Sequence, residues 1–407
     1  MKKCVLRNGV KLIYEHRETE ITSFCIGFNA GAQEEIRGFK LGVAHAVEHM
    51  IYKGTVNRSE MEINKLCDEI FGFQNAMTNF PYVVYYGTCL SQDFERGIEL
   101  FSDILLNPRF PKNGFKEEMN IILQELKEWK DDIQQHCEDS LLYNAFNKIR
   151  IKDLIIGNER SIEHIKIKDI EEFYKTYYTP NNCVISVCSS LQFNEVLETI
   201  NNYFECWETA FNPIKKEEYE DNNEGIFVEK VPGITGAKIQ YIFKIDSLDE
   251  NEIKALTLFN EAFGDGTSSI LFEQIRTNNG MAYEVRSSIK NERGIKLFTI
   301  SMGTSSCNVE KAIQLVDKSI ENIKNKKAYF NEDNIRQLGK RTNLKRQLKL
   351  EKSIQLCKEL TTYELMYGSA EKVYNEVSNL ELINEQDILK VLNKILKKPT
   401  VQVILPS

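Results

Sequence analysis

Shifting the chain by 215 residues lays one stretch over another without a gap. "SQDFERGIELFSDIL" from Ser91 falls on "SCNVEKAIQLVDKSI" from Ser306. Both place apolar residues at helical spacing: Phe94, Ile98 and Phe101 in the first, Val309, Ile313 and Val316 in the second. The same shift carries Phe115 of "FKEEMNIILQELK" onto Phe330 of "FNEDNIRQLGKRT". Each half also opens with strand-like alternation, "TSFCIGFNAG" and "AKIQYIFKID". A helix-like segment, a second strand pair and long helices follow in each. Any two amphipathic helices share a period, so the common ungapped offset carries more weight than the matches. It predicts two similar α+β halves, and 407 residues suit two cores better than one. Between them "WETAFNPIKKEEYEDNNEG", residues 207–225, is charged and weakly periodic, as a linker is. The expected domains are therefore 1–206 and 226–407.

The formal net charge of -8 argues against a nucleic-acid partner, which selects for a basic face. No stretch approaches the ~18 apolar residues that span a bilayer, so no membrane partner is expected. The N-terminal "MKKCVLRNGVKLIYEH" reads as a strand, a turn at Asn8-Gly9 and a second strand, not as a secretion signal. A cytoplasmic location is expected. The ten cysteines are scattered without a C-x-x-C pair, which predicts reduced and mostly buried thiols.

Two of the five histidines stand in "LGVAHAVEHMIYKG". On a helix with Val43, Val47 and Met50 as its apolar stripe, His45 and His49 are four apart and share a face. Both imidazoles can then aim at one ion, with Glu48 flanking them. Two imidazoles and a carboxylate are a normal zinc set, and catalytic zinc keeps a further position for water. A carboxylate beside that water can remove its proton. H-x-x-E-H is the inverted form of the zinc motif H-E-x-x-H. A third protein ligand is required. The helix-like "NGFKEEMNIILQELKEWKDDIQQH" offers Glu117, Glu118, Glu125, Glu128, Asp131 and Asp132. Glu118 and Glu125 share a face, two turns apart, and spacing does not choose between them.

These residues resemble the M16 metallopeptidases, the family of pitrilysin, insulin-degrading enzyme and mitochondrial processing peptidase. Their pattern is H-x-x-E-H, about 75 residues, then a glutamate ligand with a second glutamate seven before it. The resemblance selects Glu125 as the third zinc ligand, Glu48 as the base and Glu118 as a supporting acid. It covers nearly the whole chain. "NAMTNFPYVVYYGTCL" is similar to the family's strand pair beside the substrate, which implies that substrate adds as a strand near Gln74 to Thr78, with Asn75 and Ala76 at its backbone. "GDGTSSILFEQIRTNNGMAYEV" is similar to the family's second-half motif. Arg276 and Tyr283 match the pair that holds substrate and stabilises the reacting carbonyl. Ile270 departs from the arginine usual at its position, and Ser189-Ser190 from a usual Gly-Asp.

The repeat supplies a check. Asn260 falls opposite His45, Gly264 opposite His49 and Lys340 opposite Glu125. The second half therefore cannot hold the same metal. One zinc-binding and one metal-free domain is what the resemblance implies, each an α/β sandwich with a mostly antiparallel sheet covered by helices. At this length the chain resembles the short bacterial form, in which two chains close as a clamshell around a chamber. The expected protein is a zinc endopeptidase for peptides or unfolded segments, a homodimer, or a heterodimer with a related chain. A non-catalytic processing subunit and a dedicated leader-peptide maturation protease are the competing readings.

Overall fold

The computed structural model describes residues 1–209, 217–326 and 328–407. The centre of the expected linker, 210–216, lies outside the described residues. In chain order the strands are β1 (Lys2–Val5), β2 (Lys11–His16), β3 (Ile21–Phe28), β4 (Phe71–Thr78), β5 (Val83–Leu90), β6 (Cys183–Ser189), β7 (Gly225–Val231), β8 (Ala237–Lys244), β9 (Ala282–Glu292), β10 (Ile295–Thr304) and β11 (Thr400–Pro406). The α-helices are α1 (Val43–Ile51), α2 (Glu60–Ile70), α3 (Phe94–Leu106), α4 (Phe115–Asp131), α5 (Ile133–Ala145), α6 (Glu159–His164), α7 (Ile167–Tyr177), α8 (Phe193–Phe204), α9 (Glu250–Phe263), α10 (Val309–Asn325), α11 (Glu332–Glu351), α12 (Ser353–Tyr367), α13 (Lys372–Asn375) and α14 (Glu385–Ile395).

The repeat is visible in the sheets. The first runs β1-β2-β6-β3-β5-β4 and the second β7-β11-β8-β10-β9, the same order without the extra edge strand β1. Each is antiparallel except for one parallel pair, β2 with β6 and β7 with β11. Thr22 faces Cys89 in the first sheet, and Ala237 faces Thr304 in the second, each member advanced by 215. Tyr86 faces Asn75, whereas Ser301, 215 beyond Tyr86, faces Arg286, only 211 beyond Asn75. The second half is thus four residues shorter between β8 and β9. That is the stretch holding the counterpart of the histidine helix.

The chain forms two compact units, and neither is one continuous segment. The first comprises 1–127, 154–217 and 348–373, the second 128–153, 218–347 and 374–407. The expected cut at 206 and 226 assigns α5 to the first half and α12 to the second, whereas packing assigns them the other way. The reason is that each sheet needs cover on both faces. In β3, Phe24, Ile26 and Phe28 enter the core beneath α1 and α3, while Cys25 faces the opposite way. There Leu356, Cys357, Leu360 and Leu365 of α12 join Val84 and Tyr86 of β5. A strand covered on both sides loses alternation and reads as a continuous buried run. In the second unit Ile239, Tyr241 and Phe243 pack with α9, α10 and α14. On the other face Gln240 Nε2 reaches the carbonyl of Gln134 in α5. No described helix is long and apolar enough to cross a membrane.

The N-terminal strand pair forms as expected, with Gly9 at φ +98 in its turn. All ten cysteines are free thiols, seven of them buried.

Candidate metal centre

Six of the nine residues of α1 are buried: Val43, Ala44, Ala46, Val47, Met50 and Ile51. Burying side chains such as Val47 and Met50 stabilises by about 1.5–3 kcal/mol each, so the helix is fixed by packing before any ion binds. Its N-terminus receives a carboxylate, since the Ala44 N–H donates to Glu35 Oε1 at 3.0 Å. The remaining face carries His45, Glu48 and His49. The rings of His45 and His49 lie 4.6 Å apart between centroids.

Glu125 of α4 settles between them. His45 Nε2 is 3.7 Å from Glu125 Oε1, and His49 Nε2 is 3.4 Å from Glu125 Oε2. One ligand atom from each of the three lies within 4.8 Å of the others, a group able to hold a metal ion. Glu118 lies elsewhere in the same site, with its Oε1 2.8 Å from His49 Nδ1. Its second oxygen is 2.5 Å from Lys53 Nζ, which also reaches Glu60 at 2.8 Å. Glu118 thus meets the Nδ1 side of the His49 ring, away from Glu125 on the Nε2 side.

The two imidazoles titrate in opposite directions. Burial opposes charge on His49, but its hydrogen bonds to the carboxylates of Glu118 and Glu125 outweigh it and lift its pKa to about 9. Burial, and then the charge of His49, hold His45 down to about 4. Glu125 is lowered, first by its hydrogen bond with His49. Two imidazoles and an ionised carboxylate are the donor set of a zinc site, and the donors present fit that ion.

Glu48 makes no ligand contact of this kind. Thr78, the last residue of β4, donates its hydroxyl to Glu48 Oε2. Burial pushes the Glu48 carboxyl up, with Thr78 and His49 opposing. β4 is the edge strand of the first sheet. Asn75 is exposed there, with its Oδ1 2.9 Å from the amide of Ala76.

The first unit thus brings together His45, His49, Glu125, Glu48 and Glu118. Arg276 and Tyr283 lie together in the second unit. The Arg276 guanidinium carbon is 5.0 Å from the centre of the Tyr283 ring and 4.7 Å from that of Phe272. Sequence reasoning missed Lys53, although it stands four residues after His49, and did not single out Thr78.

The counterpart site has other contents. None of the five histidines lies beyond residue 164. Glu261 of α9 instead pairs with Arg341 at 2.8 Å and Lys345 at 2.7 Å, both on α11. The second unit joins its two helices by an ion pair where the first gathers two imidazoles and a carboxylate.

Residues 11–159 match the family described as Insulinase (Peptidase family M16), and residues 164–338 match the Peptidase M16 inactive domain. Among curated proteins the chain is similar to the uncharacterized zinc protease YmxG of Bacillus subtilis, 25% identical over 80% of this chain and 78% of that one. It is 22% identical to an uncharacterized zinc protease of Streptomyces coelicolor over 100% of this chain and 90% of the other. It is also 27% identical to the rat mitochondrial-processing peptidase subunit beta, over 49% of this chain and 40% of that subunit. Among solved structures, a protease from Helicobacter pylori superposes with a TM-score of 0.90 at 19% identity, covering 100% of this chain and 99% of the other.

Proposed function

The chain belongs to the M16 peptidase family, and from that premise we propose that it is a zinc-dependent endopeptidase acting on peptides or unfolded segments. The observation that carries the reading is the convergence of His45, His49 and Glu125, with Glu48 held beside them by Thr78. His45, His49 and Glu125 would hold the zinc, whose Lewis acidity makes water a nucleophile near neutral pH and polarises a carbonyl. Glu48 takes the proton from the attacking water as the oxygen bonds to the carbonyl carbon. It then delivers that proton to the leaving amine nitrogen as the C–N bond breaks. A buried carboxylate with a raised pKa suits both roles.

The position of β4 at the sheet edge supports a substrate that adds as a strand. Main-chain hydrogen bonds then give affinity, and Asn75 and Ala76 stand at that edge. We assign substrate contact and stabilisation of the developing oxyanion to Arg276 and Tyr283, in keeping with the family resemblance. An added strand must be unfolded, which restricts the substrates to peptides and flexible segments.

Glu48→Gln tests the assignment. The variant is expected to fold, to bind one zinc per chain and to lose peptide cleavage. Substantial cleavage by a zinc-loaded Glu48→Gln protein would sink it. We propose a homodimer as the working assembly, and light scattering on the pure chain tests this. Cleavage-site profiling on a mixed peptide library separates turnover, with a broad profile, from maturation of one leader, with a narrow one.

A further inference from the structure

The second unit contains a cavity of about 780 Å³ beside Arg276 and Tyr283. Apolar walls come from Ile133, Ile234 and Met281, and a second cation, Lys238, enters from β8. Its side chain lies across a glycine of the neighbouring strand. Lys238 pairs with Gly303 of β10, and a Cβ at Gly303 would stand 3.3 Å from Lys238 Nζ. A methyl group there would oblige the ammonium to shift by only a few tenths of an ångström. The one acid in the lining, Glu284, lies 3.8 Å from Arg286, its neighbour on the outward face of β9. No ion pair engages Lys238 or Arg276 among the described residues. The Arg276 guanidinium instead lies over the rings of Phe272 and Tyr283, an arrangement that does not consume its N–H donors.

Two cations above an apolar floor are the recognition chemistry of a carboxylate on an otherwise apolar segment. We infer that this cavity receives a carboxylate of the bound peptide, so that the enzyme prefers substrates with an acidic residue or a free C-terminus over their uncharged counterparts. The inference rests on the peptidase reading and adds a selectivity to it. Lys238 supplies the charge, and Arg276 supplies a planar donor to the same cavity.

The test uses matched fluorescent peptides that differ in one Glu/Gln position, each as a C-terminal acid and as an amide. Binding is followed by anisotropy on zinc-loaded Glu48→Gln protein, and cleavage on the wild type. We expect roughly tenfold tighter binding of the preferred acidic form, from one charge-assisted contact of ~1.4 kcal/mol. The position of the preference separates a side-chain carboxylate from a terminal one. Lys238→Met should remove most of the preference, and Lys238→Arg should keep it. Equal binding of charged and uncharged forms overturns the inference, as does a preference that survives Lys238→Met. Wild type that cleaves peptides without regard to charge overturns this inference alone. Failure of the wild type to cleave any peptide overturns the peptidase reading with it.

Discussion

His49 Nδ1 and Glu118 Oε1 are 2.8 Å apart, and the other oxygen of that carboxylate is held by Lys53 at 2.5 Å. The ring of a proposed metal ligand is thus fixed from behind by a carboxylate that is itself fixed. Partners of this kind commonly contribute 10–100-fold to metal affinity. Glu118→Gln is expected to weaken zinc binding by about that factor, and Lys53→Met by less, measured by competition with a chromophoric chelator. Stripping the metal should leave the helical circular dichroism unchanged, because α1 is held by its six buried residues. An unaltered zinc affinity in Glu118→Gln would remove Glu118 from the site.

Thr78 sits where two functions meet. It ends the edge strand β4 and donates its hydroxyl to Glu48. A peptide laid along β4 would therefore press on the residue that aims the base. Thr78→Val keeps the shape and removes the hydrogen bond, and should lower kcat about 10–100-fold with little change in KM. Thr78→Ser should restore most of the rate. Peptide affinity measured on the zinc-loaded, cleavage-inactive Glu48→Gln protein should not change when Thr78→Val is added. Weaker binding there would mean that Thr78 acts only on the strand.

Much of the site was legible because helical spacing is a local property. His45 and His49 share a face in any helix that forms there, and Val43, Val47 and Met50 do form its buried stripe. The choice between Glu118 and Glu125 was not local. They share a face of α4, and only the approach of α1 decides that Glu125 meets both Nε2 atoms while Glu118 meets Nδ1. The exchange of α5 and α12 was likewise invisible. A helix period states that a face is buried but does not name the sheet that covers it. The 215-residue offset survived in the pairing of β3 with β5 and failed by four residues at β9. An ungapped comparison has no means to register that loss.

Acid should loosen α12 from the first sheet. The Glu364 carboxylate is buried and accepts from Lys3 and Lys11, both at 2.9 Å. Burial works against its charge, but hydrogen bonds from Lys11 and Lys3 outweigh it and hold the carboxyl below its ordinary range. A carboxyl depressed in the folded state contributes stability that is fully present above its unfolded pKa, about 4.3. The contribution is lost as pH falls through the folded value. Urea midpoints should therefore fall below about pH 4.3 more steeply in the wild type than in Glu364→Gln. Parallel curves would show that the pairing adds nothing.

Among the described residues the second unit offers no counterpart of the His45, His49 and Glu125 group, and packing as well as residue type opposes one. At Gly264, immediately after α9, an added Cβ would lie 2.3 Å from Ser287 Oγ and 2.5 Å from its backbone nitrogen. The Ser287 hydroxyl is in turn engaged by Asn260 Oδ1 at 2.7 Å, and its amide donates to the Gly264 carbonyl at 3.1 Å. A short side chain could rotate away, but the backbone nitrogen on β9 cannot. The end of α9 thus rests directly on the strand, so a side chain pointing there has no room for itself, still less for an ion. Gly264→Ala should destabilise the protein by about 1–3 kcal/mol, the cost of overpacking a site that cannot expand. Zinc content should stay at one per chain, because the ligands lie in the other unit. Denaturant unfolding followed by fluorescence, with zinc measured on the same samples, separates the two effects. An unchanged unfolding midpoint would show that β9 yields at this contact, and that the missing histidines alone keep the second unit free of metal.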